Sequence, residues 1–86
     1  MGSIKVSAKS SPGSVAGAIA GMVKSAGSAE VEAIGAAATN EAVKSIAIAR
    51  GFLATCGAEL ICYPYFASVE LNGKEKTAIK MQIEIK

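Results

Sequence analysis

The chain is expected to fold as an α+β two-layer sandwich in the order βαβαββ, with two helices on one face of a four-stranded mixed sheet. Three observations predict it. Ser3 to Ala8 and Lys76 to Lys86 alternate apolar and polar residues, the period of a half-buried strand. Two segments, Pro12 to about Ala26 and about Glu41 to Ala54, carry apolar stripes at helical spacing. Asn72-Gly73 is a two-residue hairpin signal between two strand-like runs.

In the first strand Ile4, Val6 and Ala8 share one side, and Ser3, Lys5 and Ser7 the other. The first helix opens with Ser11 at the N-cap position and Pro12 at the first helical position, where a missing N–H costs nothing. Val15, Ile19, Met22, Val23 and Ala26 form its apolar face, and Gly27 ends it. Gly17 and Gly21 on the opposite flank suggest that another backbone comes close, since glycine inside a helix costs roughly 1 kcal/mol against alanine.

Glu30 to Gly35 reads as the second strand and Gly35 to Thr39 as a small-residue turn, with Thr39 or Asn40 capping the second helix. Ala42, Ile46, Ala49 and Leu53 form one apolar stripe of that helix, and Ile48 and Phe52 a second. The first stripe suits the sheet. The second needs the first helix or a second subunit. Gly51 again suggests close approach of a backbone. Glu59 to Leu71 is a long strand region in which Pro64 marks an edge, a bulge or a bend. Right-handed crossovers place the first strand connections, and the hairpin adds an antiparallel pair.

Eighty-six residues make one domain, residues 1–86. At 51% hydrophobic and 19% charged, so short a chain is expected to hide apolar surface between subunits. The net charge of +2 gives only modest support for a nucleic-acid partner, because phosphate neutralisation supplies most non-specific affinity. Cys56 and Cys62 have no zinc-knuckle spacing and no second pair, and histidine is absent, so no metal site is expected. They read as reduced, mostly buried thiols of a cytoplasmic protein, with no leader-like segment and no membrane-spanning run.

Catalysis finds no support. Histidine and aspartate are absent, which removes Ser–His and Cys–His arrangements. Lys9 beside Ser10 and Ser11 could pair in principle, but neighbours in a turn need not face one another and nothing in the sequence points to a buried Lys9, so a Ser–Lys hydrolase is not expected. Glu30 and Glu32 alternate with apolar residues as a solvated strand face and offer too few oxygens for a cation. Neither GxxxxGK[ST] nor GxGxxG occurs, so no nucleotide cofactor and no small-molecule substrate is expected.

What remains is binding. Lys9, Ser10 and Ser11 lie beside the positive end of the first helix. The segment is either an ordinary capped turn or an anion contact. Asn40 and Lys44 lie near the expected start of the second helix. Lys74 and Lys76 belong to the hairpin Asn72–Gly73–Lys74–Glu75–Lys76. Tyr63 and Tyr65 share one strand face, where packing and base stacking are both open.

Val6–Ala20 (VSAKSSPGSVAGAIA) and Ile34–Leu53 (IGAAATNEAVKSIAIARGFL), followed by TAIKM at Thr77–Met81, resemble the stage V sporulation protein S family over nearly the whole chain. The resemblance implies a small bacterial protein tied to sporulation, with an Alba-like fold and no known catalytic role. Alba proteins are dimeric nucleic-acid binders whose β–α turn and hairpin reach the nucleic acid. That assigns Lys9, Ser10, Ser11, Lys74 and Lys76 to binding. Arg50 lies in a block typical of the family and suits a phosphate or a carboxylate at a dimer edge. The implied assembly is a homodimer, with a tetramer as a further option, and its interface falls on Ile48 and Phe52.

The chain departs from the Alba pattern in three places. Serines stand at 10 and 11 where Alba proteins carry adjacent lysines, Gly35 to Ala38 lacks their turn arginine, and the short hairpin includes Glu75. Binding of DNA or RNA is therefore expected to be weak to moderate and salt-sensitive. The alternative is a protein–protein module in sporulation or development without nucleic-acid binding.

Overall fold

A computed structural model describes residues 3–86. The elements are β1 (Ile4–Val6), α1 (Pro12–Ala26), β2 (Ser28–Ala33), α2 (Ala36–Ala54), β3 (Leu60–Leu71) and β4 (Lys74–Ile85). They form one four-stranded sheet in the order β1-β2-β4-β3. β1 and β2 are parallel, and β4 runs antiparallel to both β2 and β3. Both helices lie on one face, packed along each other and over β1 and β2. The expected α+β architecture is present, with the expected order of elements.

The core lies between helices and sheet. Ile19 and Val23 of α1, Leu53 of α2, Val31 of β2 and Ile83 of β4 are fully buried. Each such side chain contributes about 1.5–3 kcal/mol. Alanines at 16, 20, 29, 33, 38, 42 and 49 fill the remaining contacts and let the layers approach closely. Ile19→Ala would cost about 2–5 kcal/mol, because rigid neighbours close only part of the cavity.

β1 ends at Val6 and β2 at Ala33, each two residues short of the expected strand, and three elements start two or more residues earlier than expected. α2 starts at Ala36 rather than near Glu41, with Gly35 as N-cap at φ 91. Alanine has the highest helix propensity, so Ala36 to Ala38 extend the helix back to the first residue that needs a left-handed φ. Thr39 accordingly caps nothing. Its Oγ1 donates back to the Gly35 carbonyl at 2.8 Å. β2 begins at Ser28, because the left-handed Gly27 cap turns the chain straight into the sheet. β4 begins at Lys74, directly after the hairpin turn.

The flank glycines are a further correction. A Cβ at Gly17, Gly21 or Gly51 would meet nothing within 4 Å, so among the described residues no other backbone approaches them. Cys56 and Cys62 are both exposed rather than buried. Beyond the buried Leu60 the helix layer leaves β3 uncovered, and Cys56 sits in the turn after α2. Ile48 and Phe52 are 37% and 49% exposed, so α1 does not cover the second stripe of α2. Ser45 is the buried polar residue that the apolar pattern conceals. It is fully enclosed, and its hydroxyl donates to the Glu41 carbonyl at 2.7 Å. No helix is long and apolar enough to cross a membrane among the described residues.

Candidate nucleic-acid interface

Strand direction decides what meets at one end. β1, β2 and β3 run the same way, so the 7–11 turn, the start of α2 and the hairpin all lie at the C-terminal edge of the sheet.

The 7–11 turn is braced by its own serines. The Ser7 N–H donates to Ser10 Oγ at 2.9 Å, and the Lys9 N–H donates to Ser7 Oγ at 3.2 Å. Ser11 has the extended backbone of an N-cap, yet its hydroxyl caps nothing. The first N–H groups of α1 therefore keep their positive partial charge unsatisfied by Ser11. Lys9 and Ser11 are exposed, and Ser10 is half-buried.

The hairpin projects. The β2 pairing ends at Ala33 with Ile79, so residues 67–71 and 74–78 continue beyond it as a two-stranded arm about 17 Å long. The molecule accordingly measures 42 × 22 × 17 Å. Asn72 and Gly73 turn the chain at φ 54 and 76, a left-handed pair suited to the twist of a hairpin. Lys74 and Lys76 are exposed on the same strand face. The arm leans across the sheet edge. Val69 and Leu71 share a cleft of about 680 Å³ with Lys5, Ser7, Ile34 and Ala37.

Lys9, Ser10, Ser11, Lys74 and Lys76 thus belong to one end of the molecule. Asn40 lies exposed in the second turn of α2. Lys44 lies a turn further on, 3.4 Å from Glu41. Arg50 does not join them. It is about 20 Å along α2 from the helix start, beside a hollow that it shares with Glu59, and no carboxylate pairs with it among the described residues.

The sheet face opposite the helices carries a second set of polar groups. Glu30 of β2 accepts hydrogen bonds from the hydroxyls of Ser3 and Tyr65, and Lys80 Nζ lies 3.5 Å away. Those hydroxyls, and then the Lys80 charge, hold the Glu30 carboxyl below its ordinary pKa. The same bond to Glu30 pushes the Tyr65 phenol up. Lys80 also reaches Glu32 at 3.8 Å, so the two carboxylates share its charge. Tyr63 and Tyr65 are 51% and 43% exposed on this face, and packing does not use them within this chain. The alternation in β4 turns Lys80 outward. Its meeting with Glu30 and Tyr65 depends on registers between three strands, which no local pattern specifies.

The family model for stage V sporulation protein S (SpoVS) matches residues 2–86.

Proposed function

Because the chain belongs to the stage V sporulation protein S family, with the sporulation-related role that membership carries, we propose that it is a non-enzymatic regulatory protein that binds nucleic acid as a dimer. One observation carries the reading. The Lys9–Ser11 turn, with uncapped helix N–H groups behind it, shares an end of the molecule with the Lys74 and Lys76 arm. Backbone N–H groups, serine hydroxyls and lysines are the groups that hold phosphates. Asn40 and Lys44 border this surface, whereas Arg50 belongs to the opposite end of α2.

The net charge of +2 keeps affinity modest, because each missing lysine or arginine removes roughly one counterion-releasing contact. Dimerisation through Ile48 and Phe52 doubles the basic surface and covers the apolar stripe that α1 leaves open. That same stripe favours the second reading, a protein–protein module without nucleic-acid binding. A cytoplasmic setting belongs to the proposal.

Fluorescence anisotropy with duplex DNA, single-stranded DNA and RNA, titrated with salt, tests it. Binding that weakens linearly in log salt supports the reading. Absence of binding to all three at low salt leaves the protein–protein module.

A further inference from the structure

β3 and β4 present a row of aromatic groups beside a row of cations. The unbroken register pairs Tyr63 with Gln82 and Tyr65 with Lys80, all four on the face away from the helices. Lys74, Lys76 and Lys80 fall in that same row of β4. The Tyr65 hydroxyl reaches Glu30 on β2, two strands away, so its ring must lie along the sheet across β4. The ring held there stays 43% exposed, so it keeps open surface for a base. Tyr63 follows on the same face about 7 Å along the strand. A splayed single strand can span that step. A duplex keeps its bases stacked and paired, and offers no π face to such a surface.

We propose that the outer face of β3 and β4 is a track for single-stranded nucleic acid, on which Tyr63 and Tyr65 stack successive bases. The inference rests on the nucleic-acid reading above and narrows its ligand to single strands. Lys74 and Lys76 supply the phosphate contacts, since Lys80 is already shared between Glu30 and Glu32. Those two carboxylates line the β2 side of the track and repel phosphate, which directs the strand along β3 towards the arm. Gln82 beside Tyr63 offers both a donor and an acceptor to a base edge. A second copy suits this face poorly, because lysines are depleted at the centres of protein interfaces.

The chain has two tyrosines and no tryptophan, so its intrinsic tyrosine emission reports on these two rings alone. The full chain is titrated with a short single-stranded oligothymidylate and, separately, with mixed-sequence duplex DNA. The expected result is quenching by the single strand and none by the duplex. Tyr63→Leu and Tyr65→Leu should each weaken single-strand affinity about fivefold or more, while Tyr63→Phe retains the ring and the affinity, and Tyr65→Phe, which keeps the ring but loses its tie to Glu30, falls between the natural chain and Tyr65→Leu. Single-strand binding without quenching, or Leu variants of unchanged affinity, overturns the track and leaves the Lys9–Lys74 surface standing. Emission that changes with protein concentration alone, and not with oligonucleotide, assigns the face to a second copy and also overturns it. Failure to bind either nucleic acid removes the broader reading together with the track.

Discussion

Tyr65 donates its hydroxyl hydrogen to the Glu30 carboxylate across the width of β4, joining the edge strand β3 to the inner strand β2 on the open face of the sheet. Lys80 and Ser3 complete the cluster around the same carboxylate. The bond joins residues 35 positions apart and fixes a ring that the surrounding side chains leave exposed.

The cluster gives the fold a pH dependence whose sign is set. The folded pKa of Glu30 lies below its ordinary 4.5, so its contribution is present above about 4.5 and is lost as pH falls through the lower folded value. The folded pKa of Tyr65 lies above its ordinary 10.0, so its contribution is present below that value and is lost as pH rises through the folded one. Urea midpoints measured from neutral pH into acid should therefore fall for the natural chain. Glu30→Gln should flatten that decline, and Tyr65→Phe should reduce it. An identical decline in all three proteins would mean that other carboxylates govern acid stability.

Lys9 and Lys74 stand at one end of the molecule and Arg50 at the other, and salt dependence separates the two ends. Lys9→Ala and Lys74→Ala should each lower the slope of log affinity against log salt by about one. Arg50→Ala should leave that slope unchanged. A lower slope for Arg50→Ala in anisotropy titrations would bring the far end of α2 into the binding surface.

The fold was legible because its signals are local. Alternation marked β4, the serine–proline pair marked the start of α1, and Asn72-Gly73 marked the hairpin, with each signal carried by a few adjacent residues. The start of α2 was misread because Gly35 to Thr39 is small-residue sequence that suits a turn, and alanine propensity decides it the other way. The candidate site was legible in part. Lys9, Ser10 and Ser11 are contiguous, and Lys74 and Lys76 directly follow a turn, so each group is visible in the sequence alone. That they share an end follows from three strand directions. The distance of Arg50 from that end follows only once α2 has a direction in the fold. The cluster of Tyr65, Glu30 and Lys80 needed two strand registers at once, and no spacing encodes those.

Phe52 is half exposed and lies on the α2 stripe that α1 does not cover, so it contributes little to the core of one subunit. Phe52→Glu should give a monomer in sedimentation equilibrium, with near-native circular dichroism. Burying an unpaired carboxylate at an apolar interface costs several kcal/mol, enough to dissociate a small dimer. Ala42→Glu provides the contrast. Position 42 is fully enclosed, and that substitution should unfold the chain outright. An unchanged dimer from Phe52→Glu would move the interface off this stripe.

The hairpin arm should open independently of the body, because residues 67–78 continue past the end of β2 and pair only with each other. Gly73 sits at φ 76, where a Cβ costs about 1–2 kcal/mol, so Gly73→Ala should loosen the arm. Hydrogen exchange should accelerate in the arm while the amides of β2 keep their protection. Glu70 and Glu75 are direct partners across the arm, two like charges facing each other near the turn. Ser68 donates its hydroxyl to Glu75. Glu75→Lys gives up that bond, replaces the repulsion with an attraction worth about 0.2–1 kcal/mol, and adds a cation to the arm on the strand face opposite Lys74 and Lys76. The variant should slow exchange in the arm and steepen the salt slope of nucleic-acid binding by about one. Slower exchange with an unchanged slope would show that the arm is a structural element that does not touch phosphate.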